Sequence, residues 1–148
     1  MYQHNYFEDA NKVFKEIVTK YPKTKYAEYS ANLMLDIFNL KKDYVGLEYA
    51  ASELLKNESL ASTKAGEEIK DVLEKASFKK AQDLEQESKF LESADTFVGF
   101  AKQNPKSSLA ILALYNAGVN YEKSSQNEKA KNSYLAVINS NQDKKDLK

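Results

Sequence analysis

The apolar residues of this chain recur at intervals of three and four residues, which is the period of an α-helix. Only 4 Gly and 2 Pro interrupt the pattern over 148 residues. In the first segment, Phe7, Phe14 and Ile17 share one helical face, and Pro22 ends the segment. The pattern predicts an all-α fold.

Polar residues mark where several of the helices begin. The side-chain oxygens of Thr24, Asp43 and Ser88 can accept hydrogen bonds from the free amides of the helices that follow them. Ser125 with Glu128 has the spacing of a capping box before the last helix. The segments sum to seven predicted helices, the longest of which runs over 60–86 with Gly66 as a tolerated weak point.

The chain contains an internal repeat. The segments Phe7–Pro22 and Phe90–Pro105 superimpose without a gap. Equivalent positions near the start of the second helix of each repeat are separated by 37, 46 and 37 residues, and they hold Ala10, Leu47, Ser93 and Ala130. We therefore predict one domain of three and a half helical hairpins: a half repeat at 5–22, repeats at 24–58 and 107–140, an extended repeat at 60–105, and a solvated tail at 141–148.

The last repeat resembles the tetratricopeptide repeat (TPR) family, because its residues match the positions that define that family's pattern. The matching residues are Leu114, Ala117, Gly118, Tyr121, Ala130, Tyr134 and Val137. The chain departs from the pattern where Leu47 and Ser93 replace the usual Ala and where no Pro follows Val137. The resemblance implies an α-α superhelix, or solenoid, of stacked hairpins.

The turn at Tyr21–Glu28 and the 37-residue spacing are most similar to TPR proteins of the bacterial envelope, such as outer-membrane assembly lipoproteins and Tol-Pal-associated proteins. This similarity implies a periplasmic or outer-membrane-associated protein in preference to a cytoplasmic one.

The composition of the chain argues against most kinds of catalytic and metal-binding site. With no Cys, the single histidine at His4 and no Arg among the 22 basic residues, the chain lacks the groups from which thiol, zinc and His-based catalytic sites are built. We expect no catalytic, metal-binding or cofactor-binding residue, and we interpret the protein as a non-enzyme. A net charge of zero disfavours nucleic acid as a partner, and no apolar stretch reaches the length of a membrane span.

The resemblance also implies where a partner would bind. In TPR proteins the exposed sides of the first helices form a concave wall that holds a peptide or a partner helix. The corresponding residues here are Tyr29, Asn32, Asp36, Phe78, Gln82, Leu112, Tyr115 and Val119. The aromatic members are expected to be exposed anchors, although burial by neighbouring segments is an open alternative.

Two other functions remain open at this point, a structural or oligomerising component of a bacterial envelope assembly and a helical-repeat RNA binder. The first repeat begins at its second helix, so we infer a fragment of a longer array. The stripe formed by Phe7, Phe14 and Ile17 is then expected to be exposed and to mediate self-association.

Overall fold

The computed structural model describes residues 2–146, with side chains described for residue 6 and residues 8–141. This part of the chain contains eight helices and no strand, which confirms the all-α prediction. The helices are α1 (Tyr2–Lys20), α2 (Lys25–Leu40), α3 (Tyr44–Leu55), α4 (Glu58–Ala61), α5 (Lys64–Gln86), α6 (Phe90–Gln103), α7 (Ala110–Lys123) and α8 (Asn127–Asp146).

The chain divides into two compact units, Met1–Ala76 and Ser77–Lys148. Helix α5 begins in the first unit and ends in the second. The first unit has an aliphatic core in which Leu35, Leu47 and Leu60 are buried, and Phe14 and Phe38 pack against it.

The second unit has an aromatic core. The ring of Phe78 meets the rings of Phe97 and Phe100 edge to face, with centroids 5.2 and 5.5 Å apart. Small residues of α6 and α7, including Ala94 and Ala113, are fully buried around these rings. Small side chains let helices approach closely enough for the aromatic rings to fill the remaining space.

The same turn joins the two helices of three hairpins, α2–α3, α5–α6 and α7–α8. Lys42, Ser88 and Ser125 adopt left-handed backbone conformations, with φ of 53°, 62° and 61°. In each turn the amide of this residue donates to the carbonyl three residues earlier, and the next amide donates to the carbonyl five residues before it. This pair of bonds is the Schellman motif that ends many helices.

The three turns have the separations expected of the repeat. Lys42, Ser88 and Ser125 are 46 and 37 residues apart, as are the buried residues Leu47, Ser93 and Ala130 five positions later. The Ser93 hydroxyl donates to the carbonyl of Ala81, at 2.7 Å, on the preceding helix. The hairpins therefore share one turn geometry and one register of buried positions.

The number of helices differs from the expected seven because the segment 60–86 is not one helix. Asn57 caps the short helix α4, and the Thr63 hydroxyl accepts from the amide of Gly66, at 3.2 Å, at the start of α5. Gly66 is also not a tolerated weak point. A Cβ there would collide with the carbonyl oxygens of Leu60 and Ala61, so glycine allows the close approach of the two helices.

Two of the four helix caps are confirmed. The amide of Ala27 donates to the Thr24 hydroxyl at 3.3 Å, and that of Gly46 donates to Asp43 at 2.9 Å. The predicted caps at Ser88 and Ser125 are wrong because both residues end the preceding helix in the left-handed conformation.

The predicted tail 141–148 begins within the described helix α8, which continues to Asp146. Side chains beyond residue 141 lie outside the described residues, as do those of His4 and Phe7. The solvation of the tail and the placement of those two side chains therefore stay predictions.

Candidate interaction faces

Among the described side chains of the first unit, helix α2 exposes the largest number of large apolar residues. It buries Ala27, Ala31 and Leu35 on one side. The opposite side exposes Tyr26, Tyr29, Leu33 and Leu40 to solvent. Because a helix has 3.6 residues per turn, these residues form one stripe on the side away from the core.

Three polar residues complete this face, which we name the α2 face and define as Lys25, Tyr26, Tyr29, Asn32, Leu33, Asp36 and Leu40. Asn32 and Asp36 are exposed, as predicted for partner-binding residues, and Tyr29 is 62% exposed. The α2 face thus combines aromatic rings, which contribute strongly to interfaces, with amide and charged groups that can orient a partner.

Helix α7 presents a second such face in the other unit. It buries Ala113, Ala117 and Tyr121, and it exposes Leu112 and Tyr115. Tyr115 is 51% exposed, and Val119 is half-buried on the same side. We name the set Leu112, Tyr115 and Val119 the α7 face.

The ring of Tyr115 packs against a neighbouring aromatic ring. Its centroid lies 6.0 Å from that of Tyr134 on α8, and the Tyr134 ring occupies the space above Gly118. The Tyr134 hydroxyl donates to Glu122 at 3.1 Å, and burial with this bond raises the pKa of Tyr134. The Tyr115 ring is therefore packed against the Tyr134 ring on one side and exposed to solvent on the other.

Phe78 is not an exposed anchor, so that part of the predicted site is wrong. It is 7% exposed and forms the centre of the aromatic core with Phe97 and Phe100. A phenylalanine ring has no polar group, so burying Phe78 in the core removes no hydrogen bond to water. Gln82, one turn further along α5, is half-buried.

The apolar residues of α1 are divided between core and surface. Val18 is buried and Phe14 packs against the first core, which contradicts the expectation that Phe14 is uncovered. Val13 and Tyr6 are the large apolar residues that α1 exposes among its described side chains. Self-association through α1 would therefore use Val13 and not Phe14.

The sequence did not reveal a cleft of about 370 Å³ between α1, α2 and α3. Its floor includes Val18, Met34 and Leu54, and its rim includes Lys15 and Glu53. The hydrogen bond from Lys56 lowers the pKa of Glu53 against the opposing effect of burial, and the charges of Lys56 and Lys15 lower it further. No periodic signal could identify the cleft, because its lining comes from three segments that are far apart in the sequence.

The buried residue Tyr121 makes a partly buried polar contact in the second unit. Its hydroxyl donates to a carboxylate oxygen of Asp95 at 2.6 Å, and the Lys129 ammonium lies 5.5 Å from the centre of its ring. Burial and the bond to Asp95 raise the pKa of Tyr121 well above its usual value. The contact joins α6 to α7 and holds the tyrosine in its neutral form.

Among the described residues, no group of three His, Cys, Asp or Glu side chains is placed to hold a metal ion. Within the same part of the chain, no helix combines the length and the apolar character needed to cross a membrane.

Comparison of the chain with protein-family models, curated proteins and solved structures finds no match.

Proposed function

We propose that this protein is a non-catalytic interaction module that binds an extended peptide or a partner helix on the exposed face of α2 or α7, each the first helix of its hairpin. The observation that carries the proposal is the α2 face, where two tyrosines and two leucines are exposed on one side of a helix whose other side is buried. Monomeric proteins expose single apolar residues commonly, whereas a contiguous apolar stripe is typical of a binding surface.

The α7 face supports the same reading. Leu112 and Tyr115 hold positions on α7 that correspond, in the repeat, to Tyr29 and Asn32 on α2. Tyr29 and Leu112, one equivalent pair, are thus both exposed and both aromatic or apolar. In the other pair the exposed residue is the polar Asn32 on α2 and the aromatic Tyr115 on α7. Aromatic residues at exposed helical positions suit a partner that inserts apolar side chains between them.

We also propose that the hairpins are TPR units. The shared Schellman turn and the buried positions Leu47, Ser93 and Ala130 at equal register support this proposal. A partner-binding role follows the use that helical repeats make of their surfaces, while the absence of Cys and Arg and the single His argue for a role without catalysis.

The proposal is tested by selecting binders from a library of displayed amphipathic helical peptides. Selection is made on the wild-type chain, and affinities of enriched peptides are measured by fluorescence anisotropy. The double variant Tyr29→Ala with Tyr115→Ala should weaken binding by about 2 kcal/mol or more, because exposed aromatic anchors dominate such interfaces. Helical content by circular dichroism should not change, since neither ring belongs to the core of its unit.

A matched control removes aromatic or apolar groups outside both faces. The variant Tyr21→Ala with Leu91→Ala also removes two exposed large side chains, and it should leave the affinity of the enriched peptides unchanged. Equal affinities for the wild type and for the Tyr29→Ala, Tyr115→Ala variant would refute the proposal.

A further inference from the structure

The charges of the α2 face form a pattern that fits the same helix in a second copy. Lys25, Tyr29, Asn32 and Asp36 are spaced by four, three and four residues, so they lie along one line of the helix surface. All four are exposed. Lys25 and Asp36 form no ion pair or hydrogen bond with any described side chain.

Lys25 is unfavourably placed for its own helix, and Asp36 lies towards the end at which negative charge is disfavoured. The N-terminal end of a helix is partially positive and its C-terminal end partially negative. Lys25 is the first residue of α2, and Asp36 lies four residues before its last residue, Leu40. The last turn itself holds no basic residue, and Lys41 and Lys42 follow it. A second helix packed in the opposite direction would bring the complementary charge to each of them.

We propose that the α2 face binds the α2 face of a second copy as an antiparallel, two-fold symmetric pair. With the axis at the level between Ser30 and Ala31, Lys25 lies opposite Asp36 of the second copy. Tyr29 then lies opposite Asn32 of the second copy, and symmetry forms each contact twice. This inference rests on the proposed function and names the partner of one of its faces.

The apolar residues of the α2 face extend the contact beyond the charges. Tyr26 and Leu33 flank the contact line and are exposed in the single chain. An interface confined to one 16-residue helix buries less than roughly 1,000 Å², which is the size of weak, reversible interactions. We expect a dissociation constant on the order of 0.1 mM.

Sedimentation equilibrium from about 10 µM to about 1 mM tests the pairing by charge reversal. Lys25→Asp and Asp36→Lys should each raise the dissociation constant about tenfold, because each places two like-charge pairs in the dimer. The variant that carries both reversals restores opposite charges across the axis, so its constant should return to within about threefold of the wild type.

Neither reversal should prevent folding, since each one improves the match between charge and helix dipole. Lys106→Asp controls for the change in net charge, and Val13→Lys tests association through α1. Neither control should alter the constant. A wild-type chain that is monomeric throughout, or a double reversal no better than the single ones, would overturn the proposal.

The outcome is distinguishable from failure of the proposed function. A monomeric chain whose affinity for the enriched peptides still depends on Tyr29 would overturn the antiparallel pair and leave the interaction module intact. Dimerisation that follows the charge reversals while no enriched peptide depends on Tyr29 or Tyr115 would support the pair and overturn peptide binding.

Discussion

At the scale of single residues, Gly66 and Gly99 both lie inside helices but have different surroundings. A Cβ at Gly66 would collide with backbone carbonyl oxygens of Leu60 and Ala61, whereas a Cβ at Gly99 would meet no atom within 4 Å. Alanine at Gly66 should therefore lower the free energy of unfolding by about 1 to 3 kcal/mol. Alanine at Gly99 should raise it by up to about 1 kcal/mol, which is the difference in helix propensity.

Urea unfolding followed by circular dichroism measures both changes. Because the two variants add the same methyl group to helical glycines, each is the control for the other. Equal effects of the same sign would contradict the close approach of α4 and α5.

Tyr121 should give the stability a dependence on alkaline pH. Folding raises the pKa of this phenol above its value of about 10 in the unfolded chain, through burial and the bond to Asp95. The stabilisation by the neutral phenol is therefore complete below about pH 10 and is lost as the pH rises towards the folded-state pKa. Tyr121→Phe should cost about 1 to 2 kcal/mol at pH 8.

The measurement compares urea unfolding of the wild type and Tyr121→Phe at pH 8 and at about pH 11. The difference in unfolding free energy between the two proteins should shrink at the higher pH. Tyr26→Phe, a change at an exposed ring, should have little effect at pH 8. A difference that stays constant or grows with pH would show that folding does not raise the pKa of the phenol.

Single residues also show where reading the sequence reaches its limit. Phe78 and Tyr115 occupy equivalent positions 37 residues apart, and the repeat treats them alike. In the structure Phe78 is buried between Phe97 and Phe100, whereas Tyr115 is half exposed. The difference depends on which rings surround each position, and this information is not local to the segment.

At the scale of elements, the three hairpin turns lead to a prediction about their left-handed residues. A non-glycine residue with φ near 60° is strained by about 1 kcal/mol, and glycine is not. Ser88→Gly and Ser125→Gly should each raise the free energy of unfolding by roughly 0.5 to 1 kcal/mol. Ser124, the neighbour of Ser125, has a φ of −97°, so Ser124→Gly should instead be destabilising.

Thermal unfolding of these three variants checks the turn geometry directly. Melting temperatures should rise for glycine at Ser88 and Ser125 and fall for glycine at Ser124. A higher melting temperature for Ser124→Gly than for Ser125→Gly would place the left-handed residue one position earlier.

The same turns explain why some helix starts were predicted and others were not. Thr24 and Asp43 precede their helices directly and accept amide hydrogen bonds there. The turn between α5 and α6 is short, so Ser88 both follows the end of α5 and precedes the start of α6. Sequence preference for serine at a cap cannot separate these two roles.

At the scale of the whole molecule, the helical period and the repeat predicted an all-α chain, which is confirmed, and the predicted separations of 46 and 37 residues recur in the three left-handed turns. They did not predict α4, because its boundary with α5 depends on hydrogen bonds to Asn57 and Thr63. They also did not predict the cleft of the first unit, since three separate helices line it. Local patterns report helices and their buried sides, whereas concave surfaces depend on tertiary packing.

The α2 and α7 faces were predicted from the sequence in part. The resemblance to TPR proteins implied that Tyr29, Asp36 and Tyr115 lie on exposed sides of their helices, and all three are exposed. Whether a partner covers them is decided by chemistry outside the chain, which the sequence does not encode.

The most direct test of the central claim is a two-dimensional NMR titration of the ¹⁵N-labelled chain with a peptide enriched in the selection. The chain is kept below the concentration at which sedimentation equilibrium shows its apparent molecular mass to rise through self-association. We predict that amide shifts change along α2 from Tyr26 to Leu40, or along α7 from Leu112 to Val119. Changes confined instead to the cleft rim at Lys15, Glu53 and Asn57 would contradict the claim that the exposed faces of the first helices bind the partner.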